Sequence, residues 1–134
     1  MDDFILNIIK GRSVEPTSQV EKAFCNYFSS AVNIEWFIVK ESIYEAIFYL
    51  DNLEHIAHFN ETGNLIDYRV NLSLSDIPEN LTGIFKDKGE IMNVVARFKE
   101  QAISKYEVIM RDSQLTRHLF LIDANFKIIK ETQL

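Results

Sequence analysis

The chain is poor in the residues that make a protein loop-rich, stapled or polyanion-binding. Its 134 residues include 4 glycines and 2 prolines, too few for a disordered or low-complexity chain. A single cysteine, Cys25, excludes an internal disulfide, so the fold rests on its core in either redox compartment. No run of basic residues occurs, and the formal net charge is −6. Nucleic acid is therefore not an expected partner, because backbone binding needs Lys and Arg to neutralise phosphates. No stretch approaches the ~20 apolar residues of a membrane-spanning helix. The N-terminus starts acidic, at Asp2 and Asp3, and Asn7 breaks its short apolar run. A secretory leader starts positive and carries a longer run. As written, the chain reads as soluble and cytoplasmic, with a periplasmic or secreted location only where a leader has been removed.

What is present is an ordinary globular balance, 47% hydrophobic and 25% charged, enough for one domain with a core. Phe4, Ile5, Ile8 and Ile9 recur at helical spacing. They predict a short amphipathic helix within residues 1–13, packed on the domain or pairing two copies through residues 4–9. Gly11 to Pro16 reads as a linker. Residues 18–29 form the first full helix, with Ser18 and Glu21 as a capping box and a stripe of Val20, Ala23, Phe24, Tyr27 and Phe28.

The period then changes to two. Val32–Trp36, Tyr44–Leu50, Leu53–Phe59 and Leu65–Asn71 read as strands joined by short turns, an antiparallel meander. Gly63 supplies the positive φ of the turn 60–64. Ser75 then caps a second helix with Pro78 in its first turn and Ile77, Leu81, Ile84 and Phe85 as its stripe. Four more strands follow, at about 91–100, 103–111, 115–122 and 126–131.

"YEAIFYL" at 44–50 and "YEVIMRD" at 106–112 are nearly the same strand. Tyr44-Glu45-Ala46-Ile47 lines up with Tyr106-Glu107-Val108-Ile109, and Phe24 and Phe28 line up with Leu81 and Phe85. The expected fold is α+β and two-layered. Residues 14–134 form one domain of two repeats, about 14–72 and 73–134. Each repeat is a helix plus a four-stranded meander, and together they make one long sheet with two helices on one face.

At this point a family resemblance enters. "VEKAFCNYFSSAVNIEW", "YEAIFYL", "AHFNETGNL", "LSLSDIPENL", "YEVIMRD" and "FLIDANFKII" follow, in order, the pattern of a PepSY-like, β-lactamase-inhibitor-protein-like domain found in small proteins of Bacteroidetes. The resemblance spans residues 14–134. It implies two helix-plus-four-strand repeats, shaped like the secreted inhibitor that grips its target with the concave face of its sheet. It supplies no catalytic residues. The chain departs from the pattern in showing no leader, in Phe126 where a turn glycine is usual, and in Ser30-Ala31 where Pro and Ala are frequent.

The chemistry-bearing residues read blandly one by one. His55 and His58 lie three apart on a strand and face opposite ways, so they do not share a metal ion. Cys25 lies off its helix stripe with no basic neighbour to activate it. Glu45 and Glu107 occupy equivalent places and are expected on the solvated sheet face. Trp36, Tyr44 and Tyr106 are expected in the core. Phe37, Ile47, Tyr49 and Ile109 are then expected on the opposite face, among Glu45, Glu107 and Arg111, as an apolar contact surface. The sequons at Asn60, Asn71 and Asn80 read as chance matches. No cofactor, metal or catalytic constellation is expected. The function expected is a non-catalytic protein- or peptide-binding module, an inhibitor in its sharpest form, acting through Phe37, Glu45, Ile47, Tyr49, Glu107, Ile109 and Arg111. The alternative is a cytoplasmic acidic immunity or regulatory protein. An enzyme or small-molecule carrier ranks last, because Phe24, Phe28 and Phe48 should fill the space between helix and sheet.

Overall fold

The computed structural model describes residues 12–134. The expectations of a helix and of copy pairing at residues 4–9 lie outside the described residues. The chain is α+β, an antiparallel sheet with strands in chain order and two α-helices among the described residues. It divides into two compact units, one ending at Tyr68 and the other starting at Arg69.

The N-terminal unit holds β1 (Arg12–Ser13), α1 (Ser18–Tyr27), β2 (Val32–Lys40), β3 (Ile43–Leu50), β4 (Leu53–Asn60) and the first half of β5 (Leu65–Leu72). β1 replaces part of the expected linker: Arg12 and Ser13 pair with Ile38 and Phe37 of β2. A strand of two residues is too short to show a period-two pattern. The cap of α1 is Thr17 rather than Ser18. Its hydroxyl accepts a hydrogen bond from the Val20 N–H at 3.2 Å. The helix stops at Tyr27 because Phe28 turns out of helical geometry while its N–H still bonds Phe24.

Val20, Phe24 and Phe28 pack on Ala46 and Phe48 of β3 and Ala57 and Phe59 of β4, with Trp36 and Tyr44 at the margin. Ala46 and Ala57 stand opposite each other in the ladder. Two small side chains there leave depth above the sheet for the rings of α1. Phe24 meets Phe48 edge-on at 4.9 Å and Trp36 at 5.2 Å, geometry that suits the aromatic quadrupoles.

The C-terminal unit holds the rest of β5, a 3₁₀ turn (Leu74–Asp76), α2 (Glu79–Phe85), β6 (Glu90–Lys99), β7 (Ala102–Arg111), β8 (Arg117–Asp123) and β9 (Ile128–Gln133). The helix expected from Ser75 is split in two. Pro78 keeps Ile77 extended (φ −72, ψ 134), which separates the 3₁₀ turn, capped by Ser73, from α2. Leu81 and Phe85 cover Val94, Ala96, Tyr106, Val108, Met110, Phe120 and Ile122. Trp36, Tyr44 and Tyr106 thus lie at or in their unit's core, as expected.

Three turns share one design. Asn60, Asp112 and Asp123 each use Oδ1 to accept N–H bonds from the residues two and four places on, at 2.9–3.0 Å. In each, the residue three places on is left-handed: Gly63 (φ 88), Leu115 (φ 65) and Phe126 (φ 64). Glycine is the low-cost occupant of that conformation. Phe126 offsets its strain by stacking on Tyr106 at 5.7 Å. Leu115 is 71% exposed and gains no such cover. The strands expected from 115 and 126 accordingly begin later, at Arg117 and Ile128.

Candidate binding faces

Each unit has a sheet side turned away from its own helix. The register identifies its occupants, because cross-strand partners share a face. In the N-terminal unit Phe37 pairs with Glu45, Glu35 and Ile56 pair with Ile47, Glu45 pairs with His58, and Tyr49 pairs with Glu54. Four expected contact residues, Phe37, Glu45, Ile47 and Tyr49, are therefore brought together on this side. Their surroundings differ from the expectation. Phe37 is 6% exposed, Ile56 1% and Glu45 0%; only Tyr49 among the four is exposed.

Glu45 was expected on a solvated face, and the structure corrects that. Its carboxylate is buried, and His58 offsets the cost: His58 Nε2 lies 2.7 Å from Glu45 Oε2. The other ring nitrogen, Nδ1, lies 2.9 Å from Asp67 Oδ1. Both contacts are satisfied at once when the ring carries two N–H donors, which makes it an imidazolium between two carboxylates. Burial by itself pulls the His58 pKa down. The hydrogen bonds and charges of Asp67 and Glu45 outweigh that and raise it from 6.5 to about 9. Glu45 Oε1 is buried and accepts no hydrogen bond among the described residues.

His55 and His58 do face opposite ways. His55 stacks on Phe48 at 5.2 Å on the helix side. Burial holds its pKa below 6.5, against smaller raising effects of the Leu50 backbone and the Asp51 charge. Among the described residues no cluster of His, Cys, Asp or Glu has metal-binding geometry. Cys25 is free and exposed.

In the C-terminal unit Glu107, Ile109 and Arg111 share the side of β7 opposite the buried Tyr106, Val108 and Met110. Register adds Val95 and Asn93 of β6 and Leu121, Leu119 and Arg117 of β8. Lys130 of β9 stands opposite Leu121. Ile109, Leu119 and Leu121 are half-buried, and the rim is charged. Arg97 pairs with Glu107 at 3.4 Å and Arg111 with Glu90 at 2.9 Å. Arg117 stands directly opposite Arg111, and neither Arg117, Lys105 nor Lys130 forms an ion pair among the described residues.

Charge is unevenly divided. Residues 1–68 hold four Lys and Arg against eleven Asp and Glu, a net of −7; residues 69–134 hold ten against nine, a net of +1. A cleft of about 260 Å³ lies in the C-terminal unit and is lined by Leu74, Ile77, Thr82, Phe85, Lys86, Gly89 and Ile91. It has no convergence of polar groups of the kind a catalytic site needs.

Sequence reading missed the partners of Glu45. His58 could have been found: the two-residue turn at Asp51–Asn52 places it opposite Glu45. Asp67 was missed as well: it reaches the ring from β5, across the turn 60–64. Leu119 and Leu121 were assigned to a strand but not to a face.

No family model matches the chain, and no curated protein does. Solved structures do. A DUF2874 family protein from Bacteroides uniformis superposes with a TM-score of 0.75 at 18% identity, covering 89% of this chain and 90% of that one. A BLIP-like protein from Bacteroides fragilis gives 0.73 at 16% identity, covering 90% and 88%. A DUF2874 family protein from Bacteroides ovatus gives 0.72 at 13%, covering 90% and 89%. The chain therefore has the fold of BLIP-like and DUF2874 proteins of Bacteroides, which agrees with the resemblance read from its motifs. At these identities the likeness extends to the fold alone.

Proposed function

We propose that this chain is a non-catalytic protein- or peptide-binding module that works through sheet faces turned away from its helices. The finer architecture belongs to the same reading: two helix-plus-meander repeats in tandem. The observation that supports it most is the half-buried row Ile109, Leu119 and Leu121 inside a charged rim. An apolar centre with a polar border is the usual anatomy of a contact surface. Inhibition is its sharpest form, in line with the BLIP-like name of one structural neighbour. The expected contact residues are Phe37, Glu45, Ile47, Tyr49, Glu107, Ile109 and Arg111. Within this set Glu45 acts from below the surface, by holding His58. The test is display selection of peptides on the intact chain, followed by Ile109→Asp and Leu119→Asp. Selected ligands should lose binding to both variants while far-UV dichroism stays unchanged. Ligands that ignore both substitutions sink the reading. The alternative, an acidic immunity or regulatory protein, is favoured by the concentration of negative charge in residues 1–68.

A further inference from the structure

We infer that the face of the C-terminal unit turned away from α2 receives an acidic, extended peptide segment that turns both apolar side chains and Asp or Glu toward that one surface, at every second position. This rests on the binding-module reading and names the partner that reading leaves open.

The first support is charge. The whole chain is at −6, yet this face gathers Arg97, Lys105, Arg111, Arg117 and Lys130 against Glu90, Glu107 and Asp123. Two cations are internally neutralised, Arg97 by Glu107 and Arg111 by Glu90. Arg117, Lys105 and Lys130 keep no ion-pair partner among the described residues.

The second support is a like-charge pair. Arg111 and Arg117 are direct cross-strand partners. Like charges placed so oppose sheet formation, and the carboxylate of Glu90 is bound to Arg111 at 2.9 Å and not to Arg117. An arriving carboxylate would relieve Arg117 as Glu90 relieves Arg111, with the planar fork suited to two-point contact.

The third support is spacing. Ile109, Leu119 and Leu121 occupy the centre, and Arg111, Arg117 and Lys130 border them on the same face. An extended peptide presents alternate side chains to one surface. A segment with apolar residues over the centre and acidic residues over the rim meets both chemistries. A purely anionic polymer would leave the apolar centre unused.

The experiment is amide-resolved NMR titration of the full chain with three synthetic peptides in which every second residue reads Glu, Val, Val, Glu with Ser between, and in which Lys or Gln replaces Glu in the second and third. The Glu peptide should move the signals of Ile109, Leu119 and Leu121. Its affinity should fall about tenfold when Arg117→Glu and Lys130→Glu are combined, since rim charges act on encounter and on pairing. It should also weaken as salt is raised to about 300 mM. Lys22→Glu on α1 should change nothing. Equal binding of the Gln or Lys peptide at the same signals overturns the acidic partner and leaves the binding face standing. No movement with any peptide overturns both. Equal binding of polyphosphate assigns the face to polyanions and overturns the peptide. Sedimentation of the chain alone completes the test: self-association abolished by the double charge reversal would make a second copy the occupant and overturn a separate partner.

Discussion

On the side away from α1, the N-terminal unit excludes water from Phe37, Ile56 and Glu45; on the side away from α2, the C-terminal unit leaves Ile109, Leu119 and Leu121 half-buried. Each side carries a strand glutamate, Glu45 on β3 and Glu107 on β7, and the two are handled differently. Glu45 sits at full burial and is held by a doubly bonded His58. Glu107 keeps some solvent and faces Arg97 at 3.4 Å. A carboxylate without water must be neutralised within the protein, whereas one at a rim is already screened. One side thus neutralises its glutamate out of water, and the other does so at a partly solvated rim.

Deleting one member of the closed cluster should have the largest effect. His58→Ala leaves Glu45 buried and unpaired, and should cost about 3–5 kcal/mol in urea unfolding. Arg97→Ala on the open side should cost less than about 1 kcal/mol. Similar losses for the two would erase the distinction.

Next is the apolar pair. Ile56→Ala should destabilise by about 2–4 kcal/mol, because it opens a cavity. Ile109→Ala should cost about 1 kcal/mol or less, in proportion to the area it keeps from water. Equal values would mean that the C-terminal face is as closed as the other.

The third test is pH. Folding raises His58 from 6.5 to about 9, so its contribution is complete below pH 6.5 and is lost as pH rises toward 9. That difference corresponds to roughly 3 kcal/mol. Stability of the native chain should fall across this window, and a His58→Gln variant should show a flatter profile. His55 tilts the other way. Its lowered pKa removes stability as pH falls below 6.5, and His55→Phe should blunt that acid-side loss. An unchanged alkaline slope in the His58 variant would overturn the imidazolium assignment.

The smallest effect concerns the two strained turns. Leu115→Gly should stabilise by about 0.5–1 kcal/mol, since it relieves a left-handed residue that packs on little. Phe126→Gly should gain less or lose, because the same relief removes the stack on Tyr106. Thermal unfolding of both variants decides this.

Much of the fold was legible. Local patterns determined it: the stripe of α1, the period-two runs, and the polar two- and four-residue turns. Propensity and periodicity act over short distances, and a reader of one chain sees short distances well. The misses were of two kinds. β1 and the break at Pro78 are backbone events with weak side-chain signatures. The fate of Glu45 was a question of burial, and pattern alone cannot tell a solvated strand glutamate from a sequestered one.

By itself the sequence determined the element types, the order of helix and meander in each unit, and which alternating residues share a face, because those follow from chain geometry and turn length. Only the tertiary structure decided which of the two sheet sides is closed and which stays open. Desolvation depends on what surrounds a group from every direction, and most of those surroundings come from distant parts of the chain.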